Sequence, residues 1–182
     1  SNTPNKPTAI EGTSGTGDKS SNVAGKVAGA TSGGSQQRYE GSNKGLRLMQ
    51  NLTSKGYSDI TAAAIVGNAM HESDNFRAYE EYAPNTHGTK GVGFLQWTGS
   101  RRGEFENWAR PDSFEASAGY ISHEMEGGRH WSGGMNTESF KGIKDLDTAV
   151  RAYQDNYLRP SRQYAHTDRR LQNSRNILQQ WQ

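Results

Sequence analysis

Apolar side chains are few and scattered over residues 1–40, and from about residue 41 they recur at helical spacing. Leu46, Met49 and Leu52 fall three apart on one face of a helix that Gly56 is placed to stop. A second helix is expected from Ser58 or Asp59, as cap, through Ala62, Ile65, Val66, Ala69 and Met70. Its small residues, Ala62, Ala63, Ala64 and Gly67, predict a central helix packed closely on its neighbours and ending near His71-Glu72-Ser73-Asp74-Asn75. Residues 77–100 hold Pro84 and several Gly with no sustained period, which predicts a long loop with a short β-hairpin around Val92–Trp97. Loops of that length in compact domains are often functional. Helical signals resume with Phe105 and Trp108. Asp112 and Glu115 then form a capping-box pattern for a helix carrying Phe114, Ala118, Ile121 and Met125. Gly127, Gly128, Gly133 and Gly134 interrupt the chain. Leu146, Ala149, Val150, Tyr153 and Tyr157 give the clearest amphipathic stripe, closed by Pro160, and Leu171, Ser174, Leu178 and Trp181 mark a last helix. The pattern as a whole predicts a mostly α domain over residues 41–182, with one long irregular loop or short β-hairpin.

Composition separates the two parts. Hydrophobic residues make up only 31% of the chain, and residues 1–40 are rich in Gly, Ser, Thr, Asn and Lys. Such a segment cannot bury enough apolar surface to offset its ordering entropy, so it is expected to be a disordered tether of the Gly/Ser-rich kind. All four Trp and all five Phe lie beyond it, in a stretch long enough for one core. A net charge of +2, from 21 basic and 19 acidic residues without a Lys/Arg cluster, argues against nucleic-acid binding. No apolar run is long enough to span a membrane, and no secretory signal pattern is visible. With no Cys, disulfides contribute nothing to the fold.

Glu72 is the leading chemical candidate. A carboxyl group at the C-terminal end of an apolar helix sits beside the core and near the negative end of the helix dipole. Both influences disfavour ionisation, and a neutral carboxylic acid is what protonation of a glycosidic oxygen requires. On position alone a Glu that simply leaves its helix into solvent is the commoner case, because perturbed carboxylates are a minority. Of the five His (His71, His87, His123, His130 and His166), none forms His-Glu-x-x-His, so a zinc amidase would need ligands scattered over the fold. No metal and no cofactor is expected.

Three segments together carry a resemblance. Ala62–Phe76 (AAAIVGNAMHESDNF) resembles the catalytic-helix end of the lysozyme-like superfamily, Gly91–Trp97 (GVGFLQW) its Gly-aliphatic-apolar-Gln motif, and Ala149–Pro160 (AVRAYQDNYLRP) its late helix. With the continuation Gln96–Arg102, their order and spacing are most similar to phage tail lysozymes, relatives of goose-type lysozymes and lytic transglycosylases. The resemblance spans about residues 43–182 and implies specific roles. Glu72 would be the general acid in cleavage of the β-1,4 bond between N-acetylmuramic acid and N-acetylglucosamine. Gly93, Phe94 and Gln96 would line the sugar subsites, and Trp97 would stack on a sugar ring or belong to the core. Tyr153 would hydrogen-bond Glu72 or the acetamido group, unless it too is a core residue. Ser73, also assigned to the substrate site, has a plainer reading as a hydroxyl that braces the loop. Arg101 and Arg102 tie the loop to the helix.

The second carboxylate is open. Goose-type lysozymes place aspartates in the corresponding loop, whereas this loop offers Asn85 and no Asp between Asp74 and Asp112. Glu81, Glu80 and Asp74 are the candidates for a hydrolytic base. A lytic transglycosylase needs only one acid/base, because the substrate's own 6-hydroxyl closes on the anomeric carbon. The resemblance further implies peptidoglycan as partner, a virion that carries the enzyme to the wall, and residues 1–40 as its link to other tail or virion proteins. The non-enzymatic alternative is a wall-binding or structural tail module that keeps the shape without the chemistry.

Overall fold

A computed structural model of the protein describes residues 33–77, 90–108 and 114–182, with side chains from residue 43 onward. Most of the expected tether lies outside the described residues. The first helix, α1 (Gly33–Ser54), begins before residue 41, so the boundary expected there falls inside a helix. After α1 come α2 (Asp59–Glu72), α3 (Gly99–Trp108), α4 (Phe114–Gly127), α5 (Thr137–Lys141), α6 (Leu146–Tyr153) and α7 (Thr167–Trp181). The last turn of α6 runs on as a π-helical turn, Gln154–Leu158, and a short 3-10 turn, Arg162–Tyr164, leads into α7. The mostly α reading holds.

Helix α2 is the centre. Ser58 caps it by accepting from the Thr61 N–H, and every residue from Thr61 to Met70 is buried. It packs chiefly on α7, and also on α6 and α1. The small residues make this approach feasible: a Cβ built on Gly67 would lie 1.9 Å from Ser174 Oγ and 2.8 Å from the Arg170 carbonyl oxygen. Leu48, Met49 and Leu52 of α1, Ile65 of α2, Ile121 and Met125 of α4 and Ile177 of α7 are fully buried.

The expected hairpin is a single antiparallel bridge, Val92 to Trp97, around a tight turn. Helix α3 begins directly after it at Gly99, earlier than the Phe105 and Trp108 signals indicated. Of the expected capping box before α4, Asp112 lies outside the described residues. Two local devices were not anticipated: a capping box at Asn136–Ser139 that starts α5, and the Asp145 side chain that caps α6. Among the described residues, no helix is long and apolar enough to cross a membrane.

Candidate active site

Glu72 is the last residue of α2, and its side chain is 20% exposed while the ten residues before His71 are buried. Immediately beyond it the backbone turns back sharply. Asp74, Asn75 and Phe76 all adopt left-handed conformations, with φ of 49°, 59° and 63°. Such conformations cost about 1–3 kcal/mol each for non-glycine residues and persist only where surroundings over-determine them. Here the Ser73 hydroxyl donates to the Ala69 carbonyl (2.6 Å) and accepts from the Phe76 N–H (2.9 Å), while the Asn75 N–H returns to the Met70 carbonyl. Phe76 is thereby driven into the core, edge-on to Phe94 at 4.8 Å. Ser73 itself is fully buried, so it braces the turn.

The carboxyl group of Glu72 has a partner that sequence reasoning missed. Arg170 Nη1 of α7 lies 2.7 Å from Glu72 Oε1, and the Arg170 side chain is 1% exposed. Its Nη1 also donates to Asn68 Oδ1 (3.1 Å), its Nε to the Ala165 carbonyl (2.5 Å) and its Nη2 to the Tyr164 carbonyl (3.4 Å). A guanidinium at this distance favours the ionised carboxyl group, in the opposite sense to the helix-end influence anticipated from the sequence. Next to it, His71 is pushed down to about 4 by burial first, and then by the charges of Arg170, His166 and Arg169. It is neutral near pH 7.

The GVGFLQW segment forms a compact turn whose side chains serve packing. Gly93 has φ +74°, and a Cβ there would lie 2.4 Å from the Trp97 ring. The glycine is required by Trp97, a different cause from the glycan approach that the resemblance suggested. Phe94 is 8% exposed and sits between Phe76 and Phe114. Gln96, with φ 52°, donates from Nε2 to the Gly93 carbonyl at 2.8 Å and so closes its own turn. Trp97 is 2% exposed and packs on Phe105 and Tyr120, which gives it the core role in place of the stacking one. Tyr153 is fully buried among Trp131, Phe140 and Tyr157. Among the described residues its hydroxyl has no hydrogen-bond partner, so the expected bond to Glu72 is not formed; Arg170 meets that carboxyl group instead.

A second buried carboxylate was also missed. Glu124 of α4 accepts from Trp97 Nε1 (3.2 Å), Tyr157 Oη (2.7 Å) and Arg101, through Nη2 at 2.6 Å and Nε at 3.1 Å. Burial pushes its carboxyl up, but the hydrogen bonds and charge of Arg101, helped by Tyr157, outweigh that and hold it below the ordinary range. Arg101 therefore joins α3 to α4 and, through the Tyr157 carbonyl, to the π turn, while Arg102 ties α3 to the Lys90 carbonyl. The Arg and Tyr of this cluster stand in the quoted motifs; the Glu has no sequence signal beyond its phase with Tyr120 and Ile121. Four donors occupy the Glu124 oxygens, so its evident work is structural.

Against that geometry, a family model described as phage tail lysozyme matches residues 43–180. The chain belongs to the phage tail lysozyme family. This is a lysozyme-like, peptidoglycan-lytic family, so the tail-lysozyme domain is of glycosidase type with the cell wall as its substrate. No curated protein matches the chain. Of the tail lysozyme's candidate second carboxylates, Asp74 is exposed at the left-handed turn two residues past Glu72, whereas Glu80 and Glu81 lie outside the described residues. Among the described residues, no group of three or more His, Asp or Glu could hold a metal ion.

Proposed function

We propose that the protein is a muramidase, in which Glu72 protonates the leaving oxygen of the bond between N-acetylmuramic acid and N-acetylglucosamine. The observation that carries this reading is the single, partly exposed carboxyl group that ends a buried helix and is fixed there by a guanidinium. Proton donation to the glycosidic oxygen lets the C1–O bond break, with its electron pair leaving on that oxygen. The sugar then carries oxocarbenium character, and Glu72 is left as a carboxylate. Hydrolysis would proceed through a water activated by Asp74, Glu80 or Glu81. In transglycosylation the muramic 6-hydroxyl would attack C1 and give its proton to Glu72. The domain would be carried on a virion to open the wall during infection, with residues 1–40 joining it to other tail proteins.

Mass spectrometry of soluble products from purified peptidoglycan, digested with the full chain as wild type and as Glu72→Gln, tests the chemistry. Saccharide release by wild type alone supports the acid role, with reducing ends meaning hydrolysis and anhydro ends transglycosylation. Binding to the wall without release by either protein would replace the enzyme with a binding module. Deleting residues 1–40 should lower incorporation into virions; normal incorporation would remove the tether from the proposal.

A further inference from the structure

We infer that Arg170 is a positioning residue for the reaction: it fixes the Glu72 carboxyl group and stabilises the negative charge left there when the proton departs. The inference rests on the acid role proposed for Glu72. Its support is the way the guanidinium is held. Every nitrogen of Arg170 has an acceptor, from the Ala165 and Tyr164 carbonyls ahead of α7 to Asn68 and Glu72 on α2. Asn68 is one turn before Glu72, on the same face, and its own Nδ2 donates to the Ala64 carbonyl at 2.8 Å and towards the Val150 carbonyl at 3.4 Å. The cation is thus anchored from three directions, and at the fourth it meets a carboxyl group at the surface of the core.

A fold seeking stability alone gains little from such an arrangement. Buried ion pairs are often no better than apolar packing of the same volume, because desolvation offsets the Coulomb gain. An aimed, pre-ordered cation has a clear chemical use. As the Glu72 proton passes to the glycosidic oxygen and the bonding pair leaves with that oxygen, charge develops 2.7 Å from donors that need not reorganise. The other titratable groups around the pair are His71 beside Glu72, His166 and Arg169 at the start of α7, and Tyr153 on α6. The same cation favours the ionised carboxyl group before reaction, so its presence should raise the rate of the protonated enzyme and lower the pH at which activity fades.

The test is a pH–rate profile on peptidoglycan for wild type, Arg170→Gln and Arg170→Lys, with the Glu72 carboxyl carbon titrated by NMR in the substrate-free proteins. Arg170→Gln should move both the Glu72 titration and the alkaline limb upward by about one unit or more, the usual effect of an adjacent Arg. Its rate on the acid plateau should fall about tenfold, the effect of losing roughly 1.4 kcal/mol of transition-state stabilisation. Arg170→Lys should leave the limb near wild type and recover part of the rate. A merely structural Arg would lower the yield of folded protein without moving the limb, and an unmoved limb and titration overturn the inference. If Arg170→Gln does not fold, Arg170→Lys decides: one ammonium cannot serve four acceptors, so a wild-type plateau rate overturns it. Wild-type activity in Glu72→Gln would instead overturn the acid reading, while the Glu72–Arg170 coupling would still be read in the spectrum.

Discussion

Gly67→Ala is the substitution in which two opposing physical effects can be weighed most directly. Alanine improves helix propensity in mid-helix by about 1 kcal/mol. The added Cβ, however, would meet Ser174 Oγ at 1.9 Å, Ser174 N at 2.6 Å and the Arg170 carbonyl oxygen at 2.8 Å. The hydroxyl can rotate away, but the other two atoms are backbone. Restoring even a tight 3.4 Å contact from 2.6 Å requires α7 to retreat 0.8 Å from α2, at the most extensive helix contact in the described fold. Overpacking of this kind costs about 1–3 kcal/mol, and the retreat also opens the contacts that Ile177 and Leu171 make in the core. The steric effect should win by about 1 kcal/mol, which lowers Tm by about 2–4 °C for a domain of this size. Thermal melting followed by far-ultraviolet circular dichroism reads it. Activity on peptidoglycan should drop by more than the folded fraction does, because Arg170 moves with α7. Adding Ser174→Ala should not rescue the variant, since it removes the atom that could already move. A Gly67→Ala protein that melts at or above wild type, with full activity, would show that α7 accommodates the methyl group without retreating.

Three further outcomes are expected. Tyr153→Phe removes a buried hydroxyl that has no partner, so stability should stay level or rise by up to about 1 kcal/mol in urea titration, and a clear loss would reveal a bond that the structure lacks. Glu124→Gln leaves Arg101, whose side chain is 16% exposed, facing a neutral group, and should cost about 3–5 kcal/mol; an unshifted urea midpoint would show the cluster to be energetically neutral. His71, pushed down to about 4 from 6.5, takes up its proton in the unfolded chain first as pH falls. Its stabilising effect is full above about pH 6.5 and declines towards about pH 4, by about 1–2 kcal/mol once its partial exposure is discounted. His71→Gln should therefore flatten the fall in Tm between those pH values, and an unchanged slope would show that His71 does not carry the acid sensitivity there.

What the sequence makes legible is whatever repeats locally. The stripes Leu46–Leu52, Ala62–Met70, Leu146–Tyr157 and Leu171–Trp181 each fall within one stretch of helix, and the structure buries most of their members. The small residues of α2 were readable too, because close packing leaves a composition. Orientation was not. Phe94 and Trp97 have the residue types of a sugar platform, yet a turn around Gly93 directs both inward, and nothing local distinguishes the two directions. Partners distant in sequence were equally hidden: Glu124 meets Arg101 and Tyr157 from separate elements, and Glu72 meets a residue almost a hundred positions later. One local signal does exist for Arg170. It falls in phase with Leu171, Ser174 and Ile177 on the buried face of α7, where an Arg is out of place unless it is paired.

That placement gives α7 two duties that cannot be separated. Through Ser174 and the Arg170 backbone it makes the close approach at Gly67, and through the Arg170 side chain it meets Glu72 little more than one turn further along α2. The distance between two helices therefore sets the distance between acid and cation. A shift of a few tenths of an ångström at Gly67 is a packing defect, but the same shift at the surface end of the pair changes a 2.7 Å ion pair into a weaker, less directional one. Close packing by small residues, which looks like economy of volume in the sequence, is on this argument the device that holds the carboxyl group to the accuracy proton transfer requires. It follows that stability and activity should fall together for substitutions in the α2–α7 seam, and separately for Glu124 and Arg101, whose network joins α3, α4 and the π turn without touching that seam.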